Sequence, residues 1–403
     1  MKTSNKKLYY FNPGHETAVQ SGKIHYTPTA SVRKMMNDLA VLPLWYGEND
    51  NYIWIDGSID PSIFLNTIPE ELRPALIAVT STNYQTILSK KTIEASPWGL
   101  SPQSIQLFKS LQTENNQLII PSWKEEYAQL TARQTAGEYL RLLQAENPDF
   151  RKVNIPYFCT DINEIRQYIA NNPSPYVLKM PYSCSGRGLY WIENRYLDKL
   201  ATQWINGAIK KQGSISIEPA LNKIRDFAME FESDGNGNIQ YLGLSVFNTM
   251  KKGGFTGNLL GTQQTLEKQL TKHIPVKELL SVKEQIESLL SKHLATIYKG
   301  HFGIDMLIYQ GSDRSFNIHP FIELNLRYTM GLVALELSKR LIHPDVSGQF
   351  IISHEKNAYT MHEQMQKEYP LIIKEGKILS GYFPLCPVEI KTNFSAYILC
   401  EDA

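Results

Sequence analysis

Three short stretches of this chain carry side chains suited to phosphates and a hard cation. The first, Tyr176–Tyr190, reads YVLKMPYSCSGRGLY. Lys179 ends an apolar, strand-like run, and Ser183, Ser185, Gly186, Arg187 and Gly188 follow it. Small residues let backbone N–H groups approach phosphate oxygens, hydroxyls add donors, and the lysine adds positive charge. A hairpin with a flexible turn and a snorkelling lysine is the plainer alternative.

The second stretch pairs Gly300–Tyr309 with Phe321–Arg327. Asp305 sits inside an apolar strand, and Glu323, Asn325 and Arg327 alternate with Ile322, Leu324 and Leu326. A period of two puts the three polar side chains on one face. Two acids and an amide oxygen on adjacent strands make a hard-oxygen site suited to Mg²⁺. Arg327 on that face could grip a carboxylate or phosphate through both ends of its fork. A solvated sheet face with an ordinary Glu–Arg pair explains the alternation too, but not the lone Asp305.

The third stretch is Ser216–Leu221 with Arg225 and Asp226 behind it. A strand ending at Glu218 and Pro219 and passing into Ala220 and Leu221 could offer backbone groups to an adenine edge, with Asp226 near a ribose. A strand connection with surface acids accounts for the same residues. Absences also matter: no GxxxxGK[ST], no GxGxxG after a strand, no HExxH and no GxSxG occurs. P-loop, standard dinucleotide, zincin and α/β-hydrolase chemistry lose support.

Taken in order, the three stretches resemble the ATP-grasp superfamily over roughly residues 120–345. Glu323-x-Asn325-x-Arg327 is similar to the form in biotin carboxylase and carbamoyl-phosphate synthetase, and the glycine loop and hinge resemble those of D-alanine–D-alanine ligase. The resemblance implies ATP and Mg²⁺ as ligands and a carboxylate activated as an acyl phosphate for attack by an amine or similar nucleophile. Lys179 then meets the α-phosphate side, Ser183–Gly188 closes over the phosphates, and Glu218, Pro219, Ala220 and Leu221 hold adenine. Asp226 takes the ribose, and Asp305, Glu323 and Asn325 hold the metal. Lys251 or Lys252 matches a second phosphate lysine, and Arg327 steadies the transferring group. D-alanine–D-alanine ligases have an arginine two residues before the metal aspartate, where this chain has Gly303. Arg327 or His301 is the candidate replacement. Kinase chemistry and a non-catalytic nucleotide binder stay open beside the ligase.

These motifs need a frame. The expected fold is α/β: an N-terminal Rossmann-like domain at 1–120, then a two-lobed grasp domain with its small lobe at 121–215 and large lobe at 216–350. A C-terminal extension, 351–403, packs on it. Early strands are expected at Leu8–Phe11, Val41–Trp45, Tyr52–Ile55 and Leu76–Val79, with helices between them. That alternation favours a parallel sheet. Ser122 with Glu125 predicts a capping box, and Asp234–Asn238 a hairpin turn. Loops at the carboxyl ends of parallel strands face a ligand crevice, so His15 and Glu16, after the first strand, are candidate substrate residues. Thr27–Arg33 opens a helix whose N-terminus either binds an anion or is simply capped.

At 403 residues the chain is long enough for two or three domains. Lys+Arg of 41 against Asp+Glu of 40 leaves a formal charge of +1, against a generic nucleic-acid or membrane-surface binder. No long apolar run or signal-peptide pattern appears, and four scattered cysteines read as reduced thiols. The expectation is a cytoplasmic enzyme acting on a small molecule or peptide with a carboxylate, without nucleic acid or membrane, and able to form a homodimer.

Overall fold

The computed structural model describes residues 5–56, 61–183, 186–250 and 253–401. The chain divides into two compact units, one of residues 1–123, 256–266 and 327–403, the other of 124–255 and 267–326.

In the first unit, β1 (Lys6–Tyr10), β2 (Tyr52–Trp54), β3 (Ile77–Val79), β4 (Thr92–Pro97) and β5 (Gln117–Ile119) form an all-parallel sheet in the order β3-β2-β1-β4-β5. Leu8, Tyr10, Trp54, Val79, Ile93, Phe108 and Leu118 share one buried cluster. Burial on both faces explains why these strands read as short apolar runs rather than as alternating ones. The chain moves outward from β1 to β3 and returns on the far side of β1 for β4. The carboxyl end of β1 is therefore a switch point.

Two expectations fail here. Val41–Trp45 is not a strand: Pro43–Tyr46 is a buried helical turn with proline at its first position. Proline has no N–H to give a sheet ladder but fits a helix start. The Ser122–Glu125 capping box also does not form. The helix starts at Glu126, after Glu125, and has no side-chain cap.

In the second unit, β6 (Tyr157–Cys159), β7 (Tyr176–Lys179), β8 (Leu189–Ile192) and β9 (Ile215–Pro219) form an antiparallel sheet in the order β6-β9-β7-β8. Helices Ile162–Asn171 and Lys199–Gln212, capped by Asp161 and Asp198, cover it through Ile165, Ile169, Ile205 and Ala208. β10 (Asn222–Asp234) and β11 (Ile239–Thr249) follow as the expected hairpin around Gly235 and Gly237. β12 (Phe255–Leu260) leads away. β13 (Lys299–Gln310) and β14 (Phe316–Asn325) then extend the hairpin to β14-β13-β10-β11.

The last strands complete the first unit. β15 (Gly348–His354) pairs with β12 and with β18 (Phe394–Cys400), and β17 (Lys377–Pro384) joins β18 to β16 (Ile372–Lys374). They are tied to its beginning. The Trp45 indole donates to the Leu385 carbonyl at 2.6 Å, and the Asp38 carboxylate accepts from the Asn393 and Phe394 N–H groups at 3.0 Å.

Candidate functional site

Within the second unit the expected metal residues come together by strand register. Asp305 lies directly opposite Glu323, and Gly303 opposite Asn325. Cross-strand partners share a face, so the two carboxylates form a pair beside the buried Asn325 amide. The oxygen-only donor set fits Mg²⁺, whose shell water usually completes. Among the described residues no cluster of three His, Cys, Asp or Glu side chains forms. A set of two acids and an amide does not require one.

Lys179, at the buried end of β7, places its ammonium 2.6 Å from Glu218 Oε1 on β9. Ala220 N–H donates to the Pro175 carbonyl at 2.9 Å, so that hinge donor is used within the fold. Asp226 accepts from Lys223 Nζ at 2.6 Å and Thr249 Oγ1 at 2.8 Å.

The glycine stretch is closed at its base, where Met180 N–H donates to the Gly188 carbonyl at 2.9 Å. A methyl group at Gly188 would lie 2.3 Å from Ser183 Cβ, so a side chain there is excluded. Gly186 has φ of +73°, and a Cβ there would stand 2.8 Å from the Gly253 carbonyl carbon. The turn at 186–188 therefore touches the chain at Gly253 and Gly254. These are parts of the two segments to which the resemblance assigns phosphate binding. Arg187 is exposed. Ser185, Lys251 and Lys252 lie outside the described residues.

One residue at this site has no signal in the sequence. Arg133 opens the helix Arg133–Glu146 and is buried. Its Nε donates to the Met180 carbonyl at 3.1 Å, its Nη2 to Ser183 Oγ at 3.3 Å, and the same Nη2 stands 3.1 Å from Glu323 Oε1. A fixed guanidinium thus links the glycine turn to the metal acids. No local motif marks it, because its partners lie on distant strands.

His319 is a second such residue. It faces Leu307 across the β13–β14 ladder, next to the irregularity that separates this pair from Asp305–Glu323. It is 2% exposed, and neither ring nitrogen has a partner in ordinary hydrogen-bond geometry. Burial, with the Lys179 charge, pushes its pKa down to about 3, so the ring is neutral at pH 7.

Arg327 departs from expectation. β14 stops at Asn325, so the alternation does not reach Arg327, and its Nε donates to Glu16 Oε1 at 2.5 Å within the first unit. Glu16 is buried, and its other oxygen has no partner. Burial pushes Glu16 up, but the Arg327 charge, His15 and the hydrogen bond outweigh it and hold the carboxyl below its ordinary value. His15 stands beside it, with Nε2 3.0 Å from the Leu100 carbonyl and burial pushing its pKa down to about 4. Gly99 lets the ring in, since a Cβ there would meet it at 2.3 Å. Buried His15 and Glu16 and the half-buried Arg327 therefore form one group at the end of β1. His301 sits four residues before Asp305, opposite Glu232, with Nε2 3.8 Å from its carboxylate.

Among the described residues no helix is long and apolar enough to cross a membrane. No family model and no curated protein matches the chain. Solved structures do. Biotin carboxylase from Campylobacter jejuni, as a β,γ-ATP complex, superposes with a TM-score of 0.55 at 12% identity, covering 99% of this chain and 88% of that one. N5-carboxyaminoimidazole synthetase from Staphylococcus aureus with ADP gives 0.50 at 13% identity over 99% and 94%. The biotin carboxylase domain of Hydrogenobacter thermophilus 2-oxoglutarate carboxylase, with MgADP and bicarbonate, gives 0.50 at 10% identity over 98% and 86%. The chain has the ATP-grasp fold.

Proposed function

We propose that the protein is an ATP- and Mg²⁺-dependent ligase that activates a carboxylate as an acyl phosphate for attack by an amine or similar nucleophile. The observation that carries this reading is Arg133, held between Ser183 of the glycine turn and Glu323 of the Asp305–Glu323 pair. A cation, backbone donors and two acids converge where phosphates and their metal would meet. Phosphoryl transfer needs this kind of positioning and charge neutralisation more than it needs a covalent nucleophile.

In this reading the four-stranded sheet is the small lobe and the β10–β14 sheet the large lobe. A substrate carboxylate oxygen attacks the γ-phosphorus and the bond to the ADP oxygen breaks. The amine then attacks the acyl carbon, phosphate leaves, and the amine proton passes to solvent. Asp305, Glu323 and Asn325 would hold Mg²⁺, which neutralises phosphate charge when bound. Arg133 and Lys179 orient the phosphates, and Glu218 and Asp226 flank the nucleoside. Lys251, Lys252 and Ser185 belong, by the resemblance, to the phosphate set. His15, Glu16 and Arg327 are the substrate-facing candidates of the first unit.

ATP with Mg²⁺ is expected to raise the melting temperature by several degrees. Ligand at a hundredfold excess over Kd stabilises by about 2.7 kcal/mol. No shift at millimolar ATP would remove the nucleotide assignment. Product analysis then decides the chemistry: ADP, phosphate and a joined product identify a ligase, whereas ADP and a stable phosphorylated product identify a kinase.

A further inference from the structure

Arg133 is fixed at several points along one short segment. Its backbone N–H donates to the Pro181 carbonyl at 3.1 Å, its Nε to the Met180 carbonyl at 3.1 Å and its Nη2 to Ser183 Oγ at 3.3 Å. All three acceptors lie in residues 180–183, which lead from β7 into the glycine turn. The residue is 8% exposed, so its charge cannot turn to solvent without breaking these bonds. Nη1 makes no hydrogen bond among the described residues. Glu323 is half-buried on the facing strand, and its carboxylate has one ion-pair partner among the described residues, Arg133 Nη2 at 3.1 Å.

This contact alters what the acid pair can hold. Asp305 and Glu323 together carry two negative charges, Asn325 carries none, and the guanidinium leaves a single net negative charge. Mg²⁺ gives up its water reluctantly. A cation sharing the Glu323 carboxylate must also tolerate a guanidinium 3.1 Å from one of its oxygens, and like charges repel strongly away from bulk water. A nucleotide reverses the balance, because its phosphates bring several negative charges and Nη1 is placed to meet one of them.

We propose that Arg133 makes the acid pair selective for a divalent cation carried on a nucleotide, against the free cation. The inference rests on the metal and phosphate assignments of the proposed function. It adds that the acids alone are a poor cation site, and that the fixed guanidinium is the reason.

The test follows free Mn²⁺, a paramagnetic stand-in for Mg²⁺, by electron paramagnetic resonance as the full chain is added without nucleotide. The wild-type chain should take up Mn²⁺ only at millimolar concentration. Arg133→Met, and Arg133→Gln, which keeps a donor beside the Met180 carbonyl, should each bind one Mn²⁺ roughly tenfold or more tightly. Arg133→Lys keeps the charge and should stay as weak as wild type. Adding Glu323→Gln to Arg133→Met should remove the gain. Melting curves check that each variant is folded; a merely structural ion pair would lower the melting temperature without moving Mn²⁺ affinity. Micromolar binding of Mn²⁺ by the wild-type chain overturns the proposal whatever the variants do. So does unchanged affinity in both neutral variants, an equal gain in Arg133→Lys, or a gain that survives Glu323→Gln. With ADP present, Glu323→Gln should weaken Mn²⁺ uptake by the otherwise wild-type chain. If it does not, the metal assignment itself fails; if it does while the neutral variants gain nothing, only the selectivity of Arg133 fails.

Discussion

Glu323→Gln is expected to lower kcat/KM for ATP-dependent turnover by about a thousandfold, equivalent to about 4 kcal/mol of transition-state stabilisation. The change keeps the shape and removes the charge that faces both Asp305 and Arg133. Asp305→Asn should fall similarly. Loss of the Arg133 partner adds a second effect, because a buried charge left alone destabilises the fold by roughly 3–5 kcal/mol. The two effects separate in a double-mutant cycle. If Glu323 serves only to pair Arg133, Arg133→Met alone should cost as much turnover as the double variant. A metal role predicts that Glu323→Gln lowers turnover further in the Arg133→Met background. ADP release by each variant, with its melting temperature as a control, decides the matter. More than a tenth of wild-type activity in Glu323→Gln would remove the metal assignment.

The second large effect is on acid stability. His15 and His319 are neutral in the folded protein, with pKa values lowered to about 4 and about 3 from 6.5. Below pH 6.5 the unfolded chain takes up these protons and the folded chain does not. Stability is therefore full above about pH 6.5 and falls as pH drops toward 4. Two such groups cost about 4 kcal/mol between pH 7 and pH 5, at about 1.4 kcal/mol per unit for each. The depressed Glu16 carboxyl adds a further loss at lower pH, as its ion pair with Arg327 is protonated away. Urea unfolding at pH 7, 6 and 5 measures the slope. His319→Leu should halve it whatever the variant's absolute stability, because the slope counts protons rather than contacts. An unchanged slope would mean that the ring does not titrate as its burial requires.

Alternation and turn chemistry are local, so the β10–β11 hairpin and the Asp305–Glu323 pair are legible in the residues alone. Alternation has no stop signal of its own. Leu326 continues the pattern past the strand end, and Arg327 falls, by pattern alone, on a face that finishes at Asn325. Short apolar runs carry no periodicity, and Val41–Trp45 suits a helix as well as a strand. Arg133 and His319 are invisible because nothing near them in sequence differs from an ordinary helix start or strand interior. Their meaning comes from partners supplied by tertiary folding. The parallel strand Thr92–Pro97 is unmarked because its acid and serine hide the two buried positions, Ile93 and Ala95.

The first unit draws on three separated stretches of chain, and its last strand ends at Cys400. On the ribosome, the second unit has all its residues once position 326 has emerged. The parallel sheet must wait through that interval for the backbone donors of Asn393 and Phe394 that Asp38 accepts, and for the Leu385 carbonyl that Trp45 needs. Its two ends meet late, so the vectorial order of synthesis favours the inserted unit, and the interrupted one is completed only once residues 385–394, which carry these partners, have emerged.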